Sequence, residues 1–216
     1  MIIDARATCP RFPIPPMMDD GEPDAWARAR PRQISAVEGV CFHVTAVAGG
    51  FGVSSTLLRK HDGDEDAARL ARYTEQRHVR TYHWITDHRG GRLIRKLPAN
   101  VHSYASNGLN RKTIAHAYDA AVDGPFDWDL AVESIVAMVE AERADGVPLR
   151  YGYAHAQSSA HRRSDPGELY WRRAVIPAAA RVGLELRHEF AVGTGRPIPS
   201  AWRKPWADEA EGEVAP

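Results

Sequence analysis

The chain has 216 residues, 44% hydrophobic and 26% charged, which suits one sizeable globular domain with tails. Lys and Arg number 28 and Asp and Glu 28, so no net basic field argues for a nucleic-acid partner. Two cysteines, Cys9 in a Pro-rich leader and Cys41 in an apolar run, argue against a disulfide framework. No segment approaches the roughly 18 apolar residues that suggest a membrane span. The start, MIIDARATCPRFPIPPMMDD, lacks the basic then apolar order of a secretory signal. Synthesis in the cytoplasm without a signal peptide is therefore expected, and any substrate outside the cell would need another agent to release the protein.

Residues 1–33 read as an irregular leader, because Pro10, Pro13, Pro15, Pro16, Pro23 and Pro31 block regular structure. A short turn is the one element expected there, around residues 25–29. The first strong strand is predicted over residues 40–47. Val40, Phe42, Val44 and Ala46 share one face, and Cys41, His43 and Thr45 the other. Neither face is strongly polar, which predicts a central position in a sheet. Gly49, Gly50 and Gly52 then mark a loop.

Residues 64–77 read as a helix capped by Asp64, with Ala67, Leu70, Ala71 and Thr74 as a weak inner stripe. TYHWIT over 81–86, the turn DHRGG and the return over 92–97 predict a hairpin. A loop rich in Ser and Asn follows over 101–110, then a short strand over 113–118 and a connection over 123–127. The clearest helix covers 130–144, where Val132, Ile135, Val136 and Val139 have the spacing of one buried face. Gly146 and Pro148 end it. A strand over 149–154 leads to His155. A further helix begins at Glu168, is kinked or restarted by Pro177 and stops at Gly183. The tail over 187–216 is rich in Pro, Trp and acidic residues, and its last residues have a disordered composition. The element order predicts an α/β fold with a single mixed central β-sheet flanked by helices, spanning residues 34–186.

The most informative stretch is YGYAHAQSSAHRRSDPG, residues 151–167. It places an imidazole, His155, at a strand end and a carboxylate, Asp165, across a polar loop. The two can meet at a metal ion. A mononuclear catalytic zinc takes three protein ligands and leaves one position open. His43, in GVCFHVTAV, is the best candidate for the third.

Four segments together resemble the type 2 N-acetylmuramoyl-L-alanine amidases, the zinc amidase and peptidoglycan recognition protein superfamily that includes phage endolysins. FHVTA (42–46) is similar to the first-ligand strand, and TYHWITDHRGG (81–91) to the Tyr-His strand and its turn. VHSYASNGLNRKTIAHA (101–117) is similar to the His, Asn, Ile segment. AHAQSSAHRRSDPGELYW (154–171) is similar to the second ligand, a basic position and Asp-Pro-Gly. The order and the final spacing carry the resemblance over roughly residues 37–185.

The resemblance implies one zinc ion per chain, held by His43, His155 and Asp165. It implies hydrolysis of the amide between N-acetylmuramic acid and L-alanine in peptidoglycan, with zinc lowering the pKa of water towards neutrality. The family's Lys two residues before the third ligand is replaced by Arg163, which can stabilise an oxyanion but cannot readily give up a proton. Tyr82 matches the tyrosine that orients water or the substrate carbonyl in phage members. Members that use a Glu carry it on the strand matching 113–118, where this chain has Ala117 or its neighbour His116 and no carboxylate. His161 is a rival ligand, and Asp165 has a rival role as the cap of the helix at Glu168. His83 and His102 are expected to support the site or the sheet. Trp84, Tyr104, Tyr153 and Trp171 are expected in the core.

By this reading the partner is peptidoglycan or a muropeptide, with no nucleic acid, no membrane insertion and a monomeric state. A phage-type lysin acting on the cell wall after release is the implied setting. The competing readings are an inactive peptidoglycan-binding module on the same fold, favoured by the missing Glu and the Arg163 exchange, and a zinc amidase for another acyl-amide.

Overall fold

The computed structural model describes residues 2–4, 32–45, 54–75, 82–103, 105–120 and 126–206. Its centre is β2 (Gly39–Val44), buried at every position. A strand apolar on both faces gains most where neither faces water. Accordingly β2 is flanked on both sides by parallel partners, β5 (Thr113–Tyr118) and β6 (Tyr151–Ala154). The predicted hairpin is β3 (Trp84–Asp87) and β4 (Arg92–Arg95), paired antiparallel, and β3 runs parallel to β5. With β1 (Ile2–Asp4) at one edge and β7 (Glu185–Leu186) at the other, the mixed sheet has seven strands in the order β1-β4-β3-β5-β2-β6-β7.

One part of the leader departs from expectation. Residues 2–4 form β1, parallel to β4 with Ile3 opposite Ile94, because the outer side of the hairpin leaves a row of backbone groups for another strand. The turn expected around residues 25–29 and the glycine loop lie outside the described residues. A helix the patterning did not reveal, α1 (Ser55–Lys60), is capped by the Ser54 side chain accepting from Leu57 N–H. It precedes α2 (Glu65–Glu75), whose first turn is capped by Asp64 through Asp66 N–H and Ala67 N–H.

Val40, Phe42 and Val44 of β2 and Ile114 and Tyr118 of β5 face the main core, packed against α3 (Trp128–Ala144). Ile135, Met138 and Val139 of α3 are fully buried, and each such side chain contributes about 1.5–3 kcal/mol. Asp127 caps α3 by accepting from Leu130 N–H, and Gly146, at φ +83°, turns the chain after it. The last helical run starts as α4 (Glu168–Tyr170), widens into a π segment (Trp171–Val175) and continues as α5 (Ile176–Val182). Pro177 lacks an N–H and would clash with a regular preceding turn, so the wider turn absorbs what the sequence suggested as a kink. Ile198 and Trp202 from the tail are buried in the same core.

The other sheet face, which carries Cys41 and His43, is covered differently. Tyr73 of α2 packs on Ile85 and Ile94. Cys41 lies under Leu109 and Tyr153, with Phe190 and Val192 against them. His43 stands between these two patches. Among the described residues, no helix is long and apolar enough to cross a membrane.

Candidate metal centre

β2, β5 and β6 run in the same direction, so their carboxyl ends form one rim. His43 is the penultimate residue of β2 and pairs in register with Ala117. Phe42 pairs with Ala154, so the residue that follows β6, His155, emerges beside His43. The two imidazole rings lie 4.4 Å apart between centroids. From His155 the chain makes an excursion that returns at Asp165, where Ala156 N–H donates to the Asp165 carbonyl at 2.9 Å. Ten residues apart in sequence, the imidazole and the carboxylate thus sit side by side.

His155 Nδ1 lies 2.9 Å and His43 Nδ1 3.4 Å from the same carboxylate oxygen, Asp165 Oδ2. The other oxygen, Oδ1, accepts the Val44 N–H at 2.9 Å. One oxygen therefore fixes the carboxylate to the strand and the other faces both histidines. The three residues are 0, 6 and 6% exposed for His43, His155 and Asp165. They offer one ligand atom each, all within 4.8 Å of one another. Two nitrogens and one oxygen at this spacing are a donor set that suits zinc.

The electrostatics agree with that use. Burial pushes the His43 imidazole down, helped by neighbouring His155, to about 4, so its lone pair is available at neutral pH. Burial pushes the Asp165 carboxyl up, but hydrogen bonds from His155 and His43 outweigh it and hold the group well below the usual carboxylate range. The carboxylate is ionised when a cation arrives.

The remaining sequence candidates separate clearly. Tyr82 is half-buried with its ring 5.2 Å from that of His43, so it belongs to the site. Arg163 is exposed, and its Nε donates to the Ala160 carbonyl at 3.2 Å instead of reaching the three ligands. Arg162 is the neighbour whose charge is felt at His43. His161 is exposed and stands outside the cluster. Asp165 does not cap the following helix, whose N-cap is Gly167 without a side-chain bond.

His116 and Ala117 lie on opposite faces. Ala117 shares the register of His43, whereas His116 pairs with Phe42 and meets Thr86 Oγ1 at 2.9 Å on the core side. The strand therefore gives the site a methyl group and no base. His83 is buried away from the ligands, accepting the Ala115 N–H on Nδ1 and facing the Val101 carbonyl with Nε2. Trp84, Tyr153 and Trp171 are core residues, as expected. Tyr104 lies outside the described residues.

Sequence reasoning missed two neighbours. Ser106 Oγ lies 3.3 Å from His43 Nε2, and the Asn107 side-chain amide 3.3 Å from His155 Nε2. The one available signal was the cluster of Ser and Asn in the 101–110 loop. It also missed a polar knot beside the site, in which Asp119 accepts from Tyr73 Oη and, at 2.8 Å, from Thr45 Oγ1.

No family model matches the sequence, and no curated protein does. Solved structures do. The endolysin N-acetylmuramoyl-L-alanine amidase LysCS from Clostridium intestinale URNW superposes with a TM-score of 0.50 at 12% identity, covering 86% of this chain and 97% of its own. The wild-type Drosophila peptidoglycan recognition protein LB gives a TM-score of 0.50 at 11% identity, covering 86% of this chain and 96% of its own. The single mixed sheet with its helices is thus the fold that this chain shares with these two solved structures, an N-acetylmuramoyl-L-alanine amidase and a peptidoglycan recognition protein.

Proposed function

We propose that the chain is a zinc-dependent amidase that cuts the bond between the lactyl group of N-acetylmuramic acid and L-alanine in peptidoglycan, acting on the cell wall after release in the manner of a phage lysin. The observation that carries this reading is the convergence of His43 Nδ1, His155 Nδ1 and Asp165 Oδ2, with Asp165 Oδ1 already held by the strand. The shared fold with a solved amidase and a solved recognition protein supports the substrate class.

Bound in this cluster, zinc would supply a Lewis acid that acidifies water and polarises an amide carbonyl. The chain's own residues do the rest. Asp165 brings a negative charge, and the His43 imidazole arrives neutral with a lone pair to give. Tyr82, packed against His43, is the group placed to orient the substrate carbonyl and to donate to the oxyanion that forms on it. Arg162 and Arg163 add permanent positive charge at the exposed rim, suited to holding an anionic group and unsuited to proton transfer.

Metal analysis of the purified chain should find one zinc per molecule. Digestion of purified peptidoglycan should release peptides with free L-alanine amino termini, identified by mass spectrometry, and a chelator should stop the release. The His155→Ala variant should hold no zinc and release nothing; one retained zinc per chain in that variant would show the ligand set to be wrong. A second reading, an inactive peptidoglycan-binding module, is favoured by Ala117 standing where a carboxylate could serve as base. Sedimentation of the chain with cell walls, without any released peptide, would select it.

A further inference from the structure

The outer nitrogens of both histidines are met by two consecutive residues. Ser106 covers His43 Nε2, and Asn107 covers His155 Nε2, each at 3.3 Å. An imidazole that gives its Nδ1 lone pair to a metal carries its proton on Nε2. In a buried site that proton needs an acceptor, which also fixes the ring.

Both residue types serve either tautomer. Without metal, the Nδ1–H groups face Asp165 Oδ2, and the Nε2 atoms accept from the Ser106 hydroxyl and the Asn107 amide. With metal the tautomers reverse, and the same two side chains must accept. The Ser106 hydroxyl has the Cys41 thiol within hydrogen-bond reach, so it can direct its own proton there and present a lone pair to His43. The Asn107 amide presents its oxygen by rotating.

The loop is built to hold them there. Ser106 is fully buried, and its N–H donates to Asn110 Oδ1 at 2.7 Å. Asn107 is exposed, so packing does not explain its placement, and its backbone sits at φ +47°. That left-handed conformation is costly for most side chains and is adopted more readily by Asn.

We propose that Ser106 and Asn107 are positioning residues that hold His43 and His155 as Nδ1 metal ligands, accepting the Nε2 protons when the ion binds. The inference rests on the metal-centre reading above. It is tested on the full-length chain with zinc ion alone, by competition against a chromophoric chelator, and by nitrogen-15 spectra of labelled histidine. The Asn107→Gly variant keeps the left-handed backbone and removes the amide; Ser106→Ala removes the hydroxyl with little change in volume. Each should weaken zinc binding about 10- to 100-fold. Asn107→Asp, an acceptor only, should bind zinc at least as tightly as the unaltered chain. Zinc-loaded protein should show Nδ1 coordination and protonated Nε2 at both histidines. Equal zinc affinity in the Gly and Ala variants, or Nε2 coordination, overturns the inference while leaving the metal centre standing. An unaltered chain that takes up no zinc overturns both.

Discussion

Tyr82 and Arg163 entered as a catalytic pair, yet their surroundings differ. Tyr82 is half-buried on the ring of His43, where a hydrogen bond to a developing charge is little weakened by water. Arg163 is solvated, and exposed charges act weakly. Tyr82→Phe should therefore lower kcat by about 10²- to 10³-fold with zinc affinity unchanged, the cost of losing one oxyanion donor. Arg163→Ala should lower it far less. Rates of peptide release from soluble muropeptide decide the matter, and an Arg163→Ala loss as large as that of Tyr82→Phe would reverse the assignment. His43, His155 and Asp165 could be singled out in the sequence because each lies inside a segment of recognisable order. The choice of Asp165 as ligand or cap needed the structure, since it turns on Val44 N–H taking one of its oxygens from across the fold. Ser106 and Asn107 could not be singled out in advance, because their partners are 63 and 48 residues away and a loop rich in Ser and Asn does not mark which of its members reach the histidines.

The turn that carries His155 is held by a segment of the tail. Val192 N–H donates to the Gln157 carbonyl and Arg196 N–H to that of Ala156, both at 2.9 Å, while Gln157 Nε2 donates to the Phe190 carbonyl at 2.7 Å. Gly195 lies so close that a Cβ there would stand 2.0 Å from the Gln157 carbonyl oxygen. Gly195→Ala should separate the two backbones and cost about 1–3 kcal/mol, read as a lower urea midpoint. An unchanged midpoint would mean that the contact has room to give. Patterning made α3 legible, since Ile135, Val136 and Val139 of its apolar stripe are among its buried residues. It could not reveal β1, three residues whose partner strand lies about ninety positions on, nor the tail's grip on Gln157, which leaves no period in the sequence.

Among the described residues, three histidines are wholly buried: His43, His83 and His116. Burial lowers all three, His43 to about 4, His116 to about 3 and His83 well below its ordinary 6.5. Their folded values lie below their unfolded ones, so the unfolded chain binds more protons as the pH drops below about 6.5. The stability they permit is complete above that value and is lost towards pH 4. With three sites the slope approaches about 4 kcal/mol per pH unit in the middle of that window. Urea midpoints of chelator-treated protein at pH 7, 6 and 5 should fall accordingly; a flat profile would mean that the folded chain accepts these protons. Added zinc should raise the midpoint at pH 7, by about 2.7 kcal/mol at a hundredfold excess over its Kd.

Arg32 closes the distance between the leader and the chemistry. Its Nε donates to the Ala99 carbonyl at 2.6 Å and its Nη1 to those of Asn110 and Thr113 at 2.6 and 2.8 Å, while its own N–H reaches Asn100. These carbonyls bracket the loop that presents Ser106 and Asn107. A recombinant fragment trimmed to begin at residue 33 would lose these hydrogen bonds at both ends of that loop, so the smallest useful expression product should retain this arginine.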